Sequence, residues 1–105
     1  MARFENKQGI SEISFKQNIQ CYCPLGYDWY TNHITVEMVP SNVIPDYCEI
    51  DDFTRGIAGK SLIIEDVVSM IWDHIMNEYA PTWLRISSDV DDAKHMPVTV
   101  VKVSE

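Results

Sequence analysis

Glu65 and Cys23 are the two residues of this chain whose types and settings best suit chemistry. Glu65 stands in the run Ser61-Leu62-Ile63-Ile64-Glu65-Asp66-Val67-Val68, at the front of an apolar helical period that continues to Tyr79. A carboxylate at a helix start complements the helix dipole, and that is its plain structural reading. Beside an apolar run it is also a fixed acceptor. Two neighbouring N–H donors on the edge of a flat heterocycle can bond both of its oxygens in parallel. An ionised carboxylate against an apolar wall costs free energy unless it is hydrogen-bonded, so the second reading requires a partner.

Cys23 precedes Pro24, where an alternating segment gives way to a loop. A side chain at a strand end is held by a rigid scaffold yet stays reachable. As the thiolate, cysteine is a strong nucleophile. The plain reading makes Cys23 a small buried hydrophobe, because strict alternation continues the inward face of Ile19 and Cys21. Asp28 and Tyr30 follow closely, and either can serve as a proton donor. A catalytic acid has to come within about 3 Å of the group it protonates, which sequence alone does not decide.

Elements must position these residues. Residues 1–10 carry no period and read as a loose arm. From 11 to 23, Ile13, Phe15, Ile19 and Cys21 fall on one face, while Ser14, Lys16, Asn18 and Gln20 fall on the other, as in a half-buried strand. Pro24 to Asp28 reads as a turn. Ile34, Val36 and Met38 alternate with His33, Thr35 and Glu37 in a second strand that Pro40 ends. A short helix is expected over 46–55, capped by Asp46. The stripe Ile64, Val67, Val68, Ile71, Ile75 and Tyr79 predicts a long helix over 62–79, stopped by Ala80-Pro81. Residues 83–87 read as a third strand, 88–94 as an acidic turn and 97–103 as a fourth strand. The expected fold is α+β, with order ββααββ. Residues 11–105 form a single domain with one four-stranded antiparallel sheet and both helices on one face. Such an open sheet leaves edges and one face uncovered, and self-association into a homo-oligomer is the usual remedy.

The 105 residues carry 16 acidic against 8 basic side chains, a net charge of −8, which argues against direct binding to nucleic acid. No run approaches the length of a membrane span. The first residues, Met1-Ala2-Arg3-Phe4, have no signal-peptide core, so the expected location is cytoplasmic. Cys21, Cys23 and Cys48 are odd in number and are read as free thiols. His33, His74 and His95 make no metal-ligand pattern, and no metal is expected.

The order of elements, with a Glu heading the second helix, resembles the tunnelling fold. Its subunits form barrels, and purine- or pterin-like rings bind between subunits to a glutamate. Within that fold the chain is most similar to the short NADPH-dependent 7-cyano-7-deazaguanine reductases, which reduce a nitrile on a deazapurine to an amine on the way to queuosine. Cys23-Pro24, Pro40, Glu65-Asp66 and Pro81 match that family's anchors without a gap. The resemblance implies Cys23 as the nucleophile that forms a thioimide, Glu65 as the substrate-binding carboxylate and NADPH as hydride donor. For the acid it leaves two alignments open. Without a gap Tyr30 takes the position of the family's Asp; with a two-residue gap Asp28-Trp29 does. Two departures stand out. Ile64 replaces a His, and Asp46-Tyr47-Cys48-Glu49-Ile50 replaces the Glu-Ser-Lys-Ser-Leu linked to cofactor binding. Dihydroneopterin aldolases, which act on a pterin, are the second likeness, through Gly26-Tyr27-Asp28-Trp29, Asp46-Tyr47-Cys48-Glu49 and Ile63-Ile64-Glu65. Their Lys-Pro after the third strand and their early catalytic Glu are absent here. A non-catalytic binding or interaction domain is the remaining alternative.

Overall fold

Alternation and helical period become eight elements in the computed structural model, which describes residues 4–105. In chain order they are β1 (Phe4–Glu5), β2 (Ile13–Cys23), β3 (Asp28–Val39), β4 (Val43–Ile44), α1 (Tyr47–Ile57), α2 (Ile64–Tyr79), β5 (Trp83–Val90) and β6 (Val98–Val103). The arm expected to be loose over 1–10 is a correction: Phe4 and Glu5 pair with Ile44 and Val43 in a small antiparallel sheet. The Asn6 side chain then folds the chain back on itself, accepting from Ile10 N at 2.8 Å and donating to Ile10 O at 3.0 Å. Positions 1–3 lie outside the described residues.

The main sheet runs β2-β3-β5-β6, every neighbour antiparallel. Both helices cover one face, giving the α+β, ββααββ layer expected from the pattern. The core forms where Ile34, Val36, Leu84 and Ile86 of the sheet meet Val67, Val68, Ile71 and Ile75 of α2, all at 1% exposure or less. Two strands are longer than alternation suggested. β3 begins at Asp28 and β5 reaches Val90, because the inward positions Asn32 and Ser88 are polar and hide the period. Both are fully buried.

The helix ends follow local chemistry. Asp46 Oδ1 accepts from Cys48 N at 3.0 Å and Glu49 N at 3.1 Å, an N-cap as expected. α2 ends on Ala80 in the left-handed region, φ 43°, with Pro81 just beyond. Its start at Ile63 has no side-chain cap. A polar clamp joins the helices. Glu49 accepts from His74 Nε2 at 2.9 and 2.8 Å and from the Tyr79 hydroxyl at 2.6 Å, while Phe53 stacks on His74 at 3.8 Å. Among the described residues no helix is long and apolar enough to cross a membrane.

The stretch between the helices decides where α2 starts. Gly59 N donates to Gln20 O at 2.8 Å, Tyr22 N to Lys60 O at 2.9 Å and Leu62 N to Tyr22 O at 3.1 Å. Residues 59–62 thus run beside the last part of β2 and bring the first turn of α2 to the strand end that carries Cys23.

Candidate active site

Cys23 and Asp28 are the closing pair of the β2–β3 hairpin. The loop between them is tight: Tyr27 N donates to Cys23 O at 2.9 Å, and Tyr27 itself sits in the left-handed region at φ 55°. Gly26 N donates to Cys23 Sγ at 3.3 Å and so orients the sulfur. Cys23 is half-buried, partly emerging from the inward face that its parity assigned to it. Three walls then meet: the hairpin end, the first turn of α2 and the loop after β5. That loop is tied to β3 by Thr31 N donating to Asp92 Oδ1 at 2.9 Å, a bond that holds the Asp92 carboxyl below its usual range. Lys94 Nζ lies 3.6 Å from Asp28 Oδ2.

Together the walls enclose a cleft of about 610 Å³ whose lining includes Cys23, Asp28, Tyr30, Glu65, Lys94 and His95. Leu25, Trp29, Ile63, Ile64, Met96 and Val98 supply much of its apolar surface. The volume and the mix of apolar walls with a few polar groups are those of a small-molecule site. The four residues singled out from sequence, Cys23, Asp28, Tyr30 and Glu65, line this one cleft.

Two expectations change in detail. Glu65 is exposed to solvent in the single chain, whereas the heterocycle reading asked for a dry carboxylate. The reason is helical phase: Ile64, Val67 and Val68 take the buried stripe, and Glu65 points away from it towards the cleft mouth. Tyr30 differs from Asp28 in kind. Its side chain is buried and its hydroxyl donates to Leu62 O. Burial is the largest cause that pushes its pKa up to about 12. Asp28 is exposed at the rim, its Oδ1 accepting from Trp29 N at 2.8 Å. Sequence reasoning did not single out Lys94, His95 or Met96. They lie in and beside the run taken for a solvated acidic turn, and only the Lys-His pair at its end hints at another role.

The NADPH implied by the resemblance was tested against the residues that replace the cofactor segment. Asp46 is committed to capping α1 and Glu49 to the clamp with His74 and Tyr79. Beside them lies a separate groove of about 460 Å³ with Phe15, Tyr47 and Ile50 on its walls, and Lys16 facing Asp51 and Asp52 as its charged groups. Asp51 is also paired with Arg55 at 2.8 Å, so the groove has no surplus of positive charge to hold a phosphate-bearing dinucleotide. The residues present do not fit that cofactor, and no hydride step is derived. Among the described residues no three His, Cys, Asp or Glu side chains gather as a metal site.

No family model matches the sequence, and no curated protein matches it. Among solved structures, the chain is similar to an archaeosine synthase described as QueF-like, in its apo form. The TM-score is 0.81 at 15% identity, over 90% of this chain and 94% of that one. At that identity the likeness shows the fold alone, the ββααββ tunnelling fold.

Proposed function

We propose that the protein binds a flat nitrogen heterocycle of the deazapurine class in this cleft, as a divergent relative of the nitrile reductases. The ring's N–H edge bonds Glu65, and a nitrile carbon lies against Cys23 Sγ. The observation that carries the reading is the lining of a single cleft by Cys23, Asp28 and Glu65. The fold shared with an archaeosine synthase supports it.

The chemistry proposed for these residues is addition of the thiol across the nitrile. The sulfur lone pair forms the C–S bond, one C≡N π bond becomes a lone pair on nitrogen, and nitrogen takes a proton to give a neutral thioimide. Asp28 is the side chain at the rim suited to take the thiol proton as the C–S bond forms and to pass it to that nitrogen, with the Lys94 ammonium beside its carboxylate before and after. The reductase resemblance would continue with hydride from NADPH. The groove beside α1, with no surplus of positive charge, does not support that continuation, so the proposed reaction ends at the adduct. A neighbouring copy packed over the cleft mouth would dry Glu65 and strengthen its bonds, consistent with a cytoplasmic homo-oligomer.

The test pairs two variants with 7-cyano-7-deazaguanine. The parent should show a new near-UV band from the thioimide, and Cys23→Ala should lose it. Glu65→Gln should weaken binding by about 2–4 kcal/mol, as for a broken charged hydrogen-bond pair. An identical spectrum in Cys23→Ala, or unchanged affinity in Glu65→Gln, overturns the proposal. The sequence Gly26-Tyr27-Asp28-Trp29, placed at the hairpin tip beside the cleft, favours a second reading, an aldolase-like pterin site. Tight neopterin binding that is indifferent to thiol blockers would establish that reading instead.

A further inference from the structure

The core contains a chain of polar groups that the packing of a small domain does not require. Asn32 and Ser88 are fully buried and Tyr30 is 2% exposed. Ser88 Oγ donates to Asn32 Oδ1 at 2.9 Å, and Asn32 Nδ2 donates to Ile19 O at 3.1 Å. On the same inward face of β3, two residues before Asn32, the Tyr30 hydroxyl donates to Leu62 O. Burying an amide and two hydroxyls costs free energy that their hydrogen bonds only offset, so apolar residues of similar shape would serve the core at least as well. What a satisfied buried network adds is a unique arrangement. This one ties β5 to β3 and β2, and beside it the Tyr30 hydroxyl ends on the carbonyl one residue ahead of the α2 N-cap.

That end point matters because α2 has no side-chain cap of its own. The Ile63 side chain makes no cap bond, and the first bonds of the helix are those of Asp66 N and Val67 N to the Ile63 backbone O at 3.1 and 3.2 Å. The first turn, which carries Glu65, is therefore held from outside the helix. On one side Leu62 N donates to Tyr22 O; on the other Leu62 O accepts from Tyr30.

We infer that Tyr30 is a positioning residue for the cleft: its hydroxyl pins Leu62 O and so fixes the first turn of α2 and the direction of the Glu65 carboxylate. Tyr30 itself need not touch a ligand's reacting atoms. The part concerning ligand affinity rests on the heterocycle reading above; the part concerning the helix start does not.

The experiment compares the full chain with Tyr30→Phe, which keeps the ring and removes the hydroxyl. Backbone hydrogen exchange, without ligand, should quicken about tenfold at Asp66 and Val67 and stay unchanged at Ile71 and Ile75. Affinity for 7-cyano-7-deazaguanine should fall about tenfold in the parent background and not at all further in Glu65→Gln. Exchange that rises evenly along α2, or not at all, overturns the inference, as does an equal loss of affinity in both backgrounds. If the parent binds no heterocycle, the heterocycle reading falls while the exchange result still decides the positioning role. Should Tyr30→Phe fail to fold, the parent decides: the Tyr30 hydroxyl proton should be visible by NMR as slowly exchanging and close to Leu62, and a hydroxyl proton exchanging at the solvent rate overturns the idea.

Discussion

Replacing Glu49 with Ala should be among the most damaging changes to the outer surface of the helix layer. The Glu49 carboxylate accepts the His74 Nε2 proton, shared between its two oxygens at 2.9 and 2.8 Å, and the Tyr79 hydroxyl at 2.6 Å. The Glu49 side chain is 23% exposed and that of His74 16%, so water can only partly replace these bonds. Hydrogen bonds to a charged group contribute about 1.5–3 kcal/mol each when well shielded. Partial exposure and the freedom regained by the side chain reduce the sum for the pair to about 2–3 kcal/mol. For a domain of this size that corresponds to a fall in Tm of about 8–20 °C. Glu49→Gln, which keeps the shape and loses the charge, should cost about half as much. Thermal and urea denaturation followed by circular dichroism would measure both. A Glu49→Ala protein melting within about 2 °C of the parent would refute the clamp as a stabilising device. It would mean that the bonds are matched by those the separated groups make to water.

Two further outcomes follow from the same coordinates. Tyr30 and Tyr79 are both held above the ordinary tyrosine value of 10.0, Tyr30 to about 12, burial being the largest cause for each. A raised folded-state pKa means that the unfolded chain loses its protons first. The stabilisation is complete below pH 10 and drains away as pH rises towards 12, so urea midpoints should fall steeply across that window, and less steeply in Tyr30→Phe. Tyr27 holds φ 55° while its side chain is 76% exposed, so its backbone is strained and its ring packs little. Tyr27→Gly should raise stability by up to about 1 kcal/mol in denaturant titration, and a clear loss would show that the ring is packed against something in solution.

The elements closest to the cleft divide what one dimension carries from what three dimensions decide. The period-2 pattern of residues 13–23, the helical stripe from Ile64 to Tyr79 and the Asp46 cap are local regularities. Each element repeats its own geometry, so the composition along the chain records which face is buried, and the α+β order follows. The pairing of Cys23 with Asp28 is different. It depends on how four loop residues close the hairpin, a relation that strand alternation does not record. The polar inward positions Asn32 and Ser88 broke the alternation and made β3 and β5 look shorter than they are, because a buried amide is tolerated only where distant partners satisfy it. Glu65 was legible as a helix-start acid, yet its exposure in the single chain is set by the phase of α2 against the sheet. The meeting of hairpin, helix start and the Lys94 loop around one cleft is a matter of residues some forty and seventy positions apart along the chain, a relation that no local spacing encodes.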